Sequence, residues 1–221
     1  MLKSFFQLFR ADDLYSQALR ECHEMLDITL RMYQASVHSL RRCDTAHVDL
    51  DIYATDQVIN AFERDVRRKI MTHLAISGTR DLASGLVLVA IVVDIERIGD
   101  YAKNIYDLAV HHPNRLFAGT LENEVSAIED TVTAVFTRAV SCFKGADAAL
   151  ARELMATYKA GISRRCDEVT FQLIAGRCKD LSAAEQVSVA LYLRFLKRIG
   201  AHSRNMITSV VNPYERLGYP E

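Results

Sequence analysis

Only three prolines, Pro113, Pro213 and Pro220, interrupt this chain of 221 residues, and the 112 positions before the first contain none. Proline removes a backbone donor and clashes with the preceding turn, so long proline-free stretches are where long helices can run. Apolar residues in them recur every three or four positions, the spacing of one helix face. One stripe joins Leu19, Cys22, Leu26, Thr29, Tyr33, Ser36 and Leu40; a second joins Ile52, Thr55, Ile59, Phe62, Val66 and Ile70 before Gly78. A third runs through Leu88, Ile91, Ile95, Ile98, Ala102, Ile105 and Ala109 and ends at His111, His112 and Pro113.

The rest of the chain repeats the plan. Leu121, Val125, Ile128, Val132, Val135, Ala139 and Cys142 form a stripe closed by Gly145. A more polar segment from about Asp147 to Cys178 reads as one further helix. Ser182 and Glu185 have the spacing of a capping box, in which each side chain satisfies a free amide at the helix start. The last stripe carries Val189, Tyr192, Leu196, Ile199, Met206 and Val210. Ile95 to Ile105 aligns in register with Leu196 to Met206, sharing Arg-Ile-Gly and a later Asn at the same offsets. Agreement of stripe, glycine and asparagine points to an internal duplication. The expected fold is all-α: two tandem three-helix bundles, residues 1–112 and 113–221, with neighbouring helices antiparallel because the connections are short. Helices of about 30 residues would be about 45 Å long.

Composition limits the function. Half the residues are hydrophobic and a quarter charged, with a formal net charge of −1. Disorder is excluded, and so is broad nucleic-acid binding, which needs a clustered basic surface. Five cysteines, with no C-x-x-C among them, exclude a disulfide framework and a thiolate zinc site and read as buried, reduced thiols. Met1 to Arg10 carries Phe5, Phe6, Leu8 and Phe9 but lacks the long apolar core of a signal peptide. These residues suit packing onto the bundle, a homodimer contact, or at most peripheral membrane association. The most apolar run, Leu82 to Val93, is shorter than the roughly 20 residues that span a bilayer. The expectation is a soluble, cytoplasmic protein.

One constellation carries chemistry. Glu96 and Asp100 stand four residues apart, so both carboxylates project from one face of the third helix. Asp56 and Asn60 repeat that spacing on the second helix. Antiparallel packing would gather three carboxylates and an amide oxygen around one volume, an arrangement that calls for neutralisation by a cation. An all-oxygen set suits a hard cation, or iron or manganese with bridging carboxylates. The same spacing also describes a solvated face, with Lys103 and Arg97 as local partners of Asp100. Gly99, between the two acids, would admit a neighbouring backbone or an ion. Tyr53 and Tyr101 read as rim residues near the acids. His111 and His112 adjoin the break between halves and read as solvated.

Asp94 to Ile105 resembles the E-R-I-G-D-h-a-x-N-I signature that closes each half of PhoU proteins, and Asp56 to Asn60 is similar to the matching acidic motif on the preceding helix. The length and duplicated layout fit, so the resemblance covers nearly the whole chain. It implies a metal ion (iron, manganese, zinc or magnesium) held by Asp56, Asn60, Glu96 and Asp100. It also implies a non-enzymatic negative regulator of the phosphate-starvation response, whose partners are the ATPase subunit of a phosphate ABC transporter and a sensor histidine kinase. An accessory role to a phosphate permease is the alternative within the superfamily. From another class, a metal-dependent hydrolase or oxidase would need a base or nucleophile that no motif supplies: P-loop, G-x-S-x-G, H-E-x-x-H and E-x-x-H are all absent. A purely structural scaffold is the remaining reading. The second half departs from the signature. Lys197 and Ala201 stand where the acids would be, and Lys159 and Ser163 take the corresponding places on helix five, so that site is expected to be metal-free. Arg198, His202 and Arg204 suggest a basic surface there.

Overall fold

The computed structural model describes residues 13–79, 81–158 and 161–219; Phe5, Phe6, Leu8, Phe9 and Lys159 lie outside them. The described residues are all-helical, as expected. The first half contains α1 (Leu14–Arg42), α2 (Ile52–Ser77) and α3 (Leu82–His111). After a 3-10 turn at Gly119–Leu121 come α4 (Glu122–Gly145), α5 (Ala148–Tyr158), α6 (Ile162–Ile174) and α7 (Ala183–Ser209).

The helix starts follow from local chemistry. Asp13 and Asp51 cap α1 and α2, their carboxylates accepting from the Ser16 and Ala54 amides at 2.7 and 2.9 Å, which satisfies donors the first turn leaves free. Ser182 and Glu185 form the expected capping box. The single helix expected from Asp147 to Cys178 is instead two, a correction to the sequence reading. Gly161, at φ 93°, caps α6; glycine reaches this left-handed region without steric cost. Ser163 consequently lies exposed in the first turn of α6.

Paired residues show the antiparallel register. Tyr53 bonds Asp107, Asp56 bonds Lys103, and Ile59 lies against Gly99, so α2 and α3 run in opposite directions. A Cβ on Gly99 would fall 3.1 Å from Ile59 Cδ1. The small residue therefore admits a neighbouring isoleucine, not the backbone or ion expected of it.

Buried side chains of both halves form one continuous cluster. α3 and α7, the two related helices, cross against each other, and the equivalent residues Tyr101 and His202 stack at 5.9 Å between ring centroids. Equivalent positions meeting on antiparallel helices mean the halves are related by an approximate two-fold axis. Asp94 Oδ1 receives His202 Nδ1 at 2.6 Å and Asn205 Nδ2 at 2.8 Å. Tyr101 packs beside Phe195 and Arg198. Two expectations change here: Tyr101 is a seam residue rather than a rim residue, and His202, only 8% exposed, belongs to the interior rather than to a basic surface. The ring has a carboxylate on one side and a guanidinium on the other, which draws it inward.

A second seam joins α1 to α4. Arg41, 3% exposed, reaches Glu122 at 2.5 Å, Glu129 at 2.9 Å and the Leu116 carbonyl. Tyr192 of α7 donates to the same Glu129 at 2.9 Å. Further along, Tyr33 meets Phe136 edge-to-face at 5.7 Å and bonds Thr133 at 2.9 Å. Cys22, Cys142, Cys166 and Cys178 are buried and unbridged, and burial pushes the Cys22 thiol up to about 12. Cys43 differs from the expectation: it is partly exposed at the end of α1, 3.6 Å from His38 Nδ1.

Candidate metal centre

The site follows from the α2–α3 register. Thr55, Ile59 and Val66 bury one side of α2, and Ile91, Ile95 and Ile98 bury one side of α3. Asp56 and Asn60 flank the first stripe; Glu96 and Asp100 flank the second. Antiparallel packing brings all four to one side of the groove. Lys103 spans it, its ammonium 2.9 Å from Asp56 Oδ2 and 3.4 Å from Asp100 Oδ1. Asn60 Nδ2 donates to the same Asp56 oxygen at 3.3 Å. Arg97 covers the other end, 3.1 Å from Asp100 and 3.5 Å from Glu96.

Glu96 is the strained member. Desolvation raises its carboxyl pKa, the charges of Asp100, Glu63 and Asp56 push the same way, and Arg97 only partly opposes them. Glu63 is thus a fifth member of this face that the sequence reading missed. It follows Asn60 by one helical turn, and that spacing was the available signal. Its own partner is Arg67 at 3.0 Å. Lys103 responds oppositely: desolvation alone would lower its pKa, but the hydrogen bond and charge of Asp56, with the charge of Asp100, raise it.

Because ionised Glu96 is unfavourable in this setting, Glu96→Gln will raise the thermal midpoint of the protein in chelator at neutral pH. Circular-dichroism melting checks this, and an unchanged or lower midpoint would contradict it.

Among the described residues, no group of three or more His, Cys, Asp or Glu side chains is gathered as tightly as a bound metal requires. The donor chemistry nonetheless fits a hard cation: carboxylates from two helices converge, and the Lys103 ammonium stands in for the ion by bridging two of them. For a metal to be held, that ammonium must leave and Asn60 must turn its oxygen inward.

The second half resolves the same problem internally. Lys197, at the position of Glu96, grips both oxygens of Asp167 on α6 at 2.6 and 2.8 Å. Its partner is therefore one turn beyond the Ser163 position that the sequence reading matched to a ligand. Tyr53, 48% exposed, is a rim residue as expected, and its hydrogen bond to Asp107 pushes its hydroxyl up to about 12.

Comparison with known proteins agrees with this architecture. The family profile described as PhoU domain matches residues 11–109. A phosphate-specific transport system accessory protein PhoU homolog from Pseudomonas putida is 31% identical over 159 residues, covering 71% of this chain and 62% of that protein. A homolog of the same description from Xylella fastidiosa (strain Temecula1) is 34% identical over 96 residues, covering 42% of this chain and 39% of the relative. The matches thus span less than two thirds of these relatives' lengths. The crystal structure of PhoU from Pseudomonas aeruginosa superposes with a TM-score of 0.72 at 24% identity, covering 92% of this chain and 97% of that one. PhoU from Streptococcus pneumoniae does so with a TM-score of 0.68 at 16% identity, covering 90% and 91%; at these identities the two structures speak to the fold. Domain profile, curated relatives and fold converge: residues 11–109 match the PhoU domain, and the chain has the PhoU fold.

Proposed function

We propose that the protein is a non-enzymatic regulatory accessory of phosphate transport, acting through protein contacts, with one metal ion on the acidic face of its first half. The PhoU domain match and the relatives described as phosphate-specific transport system accessory proteins support the role. The metal reading is carried by one observation: carboxylates from α2 and α3 converge on a single bridging cation, Lys103. Asp56, Asn60, Glu96 and Asp100 would hold the ion, whose charge would neutralise the face and tie α2 to α3. The partners in this reading are the ATPase subunit of a phosphate ABC transporter and a sensor histidine kinase, met in the cytoplasm. No helix among the described residues is long and apolar enough to cross a membrane, which accords with a partner that docks onto a transporter.

Elemental analysis of protein purified without chelator tests the site. The expected result is about one metal per chain in the wild type and none in the Glu96→Ala/Asp100→Ala double variant. Metal retained by that variant would refute the assignment. Co-purification with the ATPase or the kinase tests the role, and binding to neither removes the adapter reading.

A further inference from the structure

The groove between α1 and α2 and the groove between α4 and α6 differ by one cation. Burial puts the two helix pairs in register. Cys22, Met25, Thr29 and Tyr33 are covered where Val125, Ile128, Val132 and Phe136 are. Ile59, Val66 and Ile70 are covered where Ile162, Val169 and Leu173 are. In this register Glu21 corresponds to Glu124, Asp65 to Glu168 and Lys69 to Gln172. Glu21 and Asp65 line the α1–α2 groove, and Lys69 holds both, its ammonium on Glu21 Oε1 and 2.6 Å from Asp65 Oδ2. That lysine side chain is 17% exposed, so the ammonium is a fixed part of the first-half groove.

The α4–α6 groove keeps the acids and loses the lysine. Glu124 and Glu168 line a cleft of about 570 Å³, against about 450 Å³ in the first half, and Gln172 brings no charge to the place of Lys69. Among the described residues Glu124 makes no ion pair. Glu168 meets only the exposed Arg164, at 3.5 Å, a contact worth little in water. Arg165 and Arg177 line the same cleft and have no ion-pair partner among the described residues. Arg165 is one turn before Glu168 and Arg177 lies just after α6, so cations stand at the two ends of the groove and acids between them. Buried Ile128 and Val169 supply an apolar floor, and Phe171, 63% exposed, an apolar rim.

We propose that the α4–α6 groove is a docking site for an amphipathic helix of a partner protein, which lays a lysine between Glu124 and Glu168 where the first half uses its own Lys69. The charge order along the groove is positive, negative, positive. A helix with a carboxylate one turn on either side of its lysine complements that order, since residues four apart share a face. Its apolar side chains cover Phe171. The first-half groove already contains its cation and offers a partner's lysine nothing to pair with. The inference rests on the reading of the protein as one that acts through protein contacts.

The test titrates the capped peptide ELAAKAALE into the full chain and follows backbone amide chemical shifts, beside an analogue with norleucine in place of the lysine. Perturbations should centre on Glu124, Glu168 and Gln172. Norleucine should weaken binding at least about tenfold, the loss of a charge-assisted contact. Gln172→Lys supplies the ammonium internally and should weaken the lysine peptide by a similar factor without lowering the melting midpoint. Lys69→Gln makes the reverse change and should add a second set of perturbations at Glu21 and Asp65. No perturbation in wild type, binding indifferent to norleucine, or binding undiminished by Gln172→Lys overturns the proposal. So does a folded Lys69→Gln protein that gains no second set, because the correspondence between the grooves then fails. The peptide experiment involves neither the ATPase nor the kinase. Co-purification with either, alongside a groove that ignores the peptide, removes the docking groove and leaves the adapter reading; peptide binding without co-purification does the opposite.

Discussion

Arg41→Met lowers the stability of this protein by about 3–5 kcal/mol, the loss typical when one partner of a buried ion pair is removed and the other stays behind. The arginine is 3% exposed and Glu129 is 5% exposed, so the stranded carboxylate cannot turn to water. For a chain of this size the melting midpoint should fall by about 10 °C. Adding Glu129→Met to Arg41→Met should restore part of the loss, because the uncompensated charge is then gone; residues sharing one network are not additive. A loss below about 1 kcal/mol for the single variant would show that the cluster is solvated rather than buried.

The acid limb gives the same cluster a second signature. Desolvation alone would raise the Glu122 carboxyl, but hydrogen bonds from the Arg41 guanidinium and the Ala118 amide outweigh it and hold its pKa below the ordinary 4.5. A carboxyl depressed in the folded state adds stability that is fully present above its unfolded value and is lost as pH falls through the folded value. Wild-type stability should therefore drop as the pH is taken below 4.5, and the drop should be shallower in Arg41→Met. Equal slopes in the two proteins would disconnect Glu122 from the arginine.

Phe136→Ala carries the second large effect, about 3–5 kcal/mol, from lost burial plus the cavity left behind. Phe136 is fully buried on α4 and meets Tyr33 of α1 edge-to-face. The contact is therefore between halves, and the continuous core predicts that both halves respond together. Urea unfolding followed by tyrosine fluorescence and by helical circular dichroism should give one shared midpoint, shifted down in the variant. Two separated transitions in wild type would mean that the halves unfold independently, against the shared core.

Legibility in the sequence varied with the range of the interaction. The stripes beginning at Leu19, Ile52 and Leu88 marked three helices whose buried faces match them, because helical periodicity is a local property of neighbours in the chain. Glu96 and Asp100 were legible for the same reason, and Glu63 could have been, one turn beyond Asn60. The break at Gly161 was not, since a glycine within a polar stretch can sit in a helix or end one. Arg41 gave no signal at all. At the end of α1 it looks like any basic residue near a helix C-terminus, and only the approach of α4 and α7 surrounds it with Glu122, Glu129 and Tyr192. His202 reads as part of a basic run with Arg198 and Arg204, until Asp94 from α3 draws it inward.

Residue spacing alone establishes that the chain is helical, that Ile95 to Ile105 and Leu196 to Met206 share one pattern, and that the first keeps acids where the second carries Lys197 and Ala201. Those properties are written in residue spacing, which survives without knowing what touches what. Helix packing sets how the charges are balanced: Lys103 across Asp56 and Asp100, Lys197 on Asp167, Arg41 between Glu122 and Glu129. Apart from the local Lys103–Asp100 pair within α3, each of these pairings joins different helices. Their strength depends on burial and distance, and neither exists until the helices have packed.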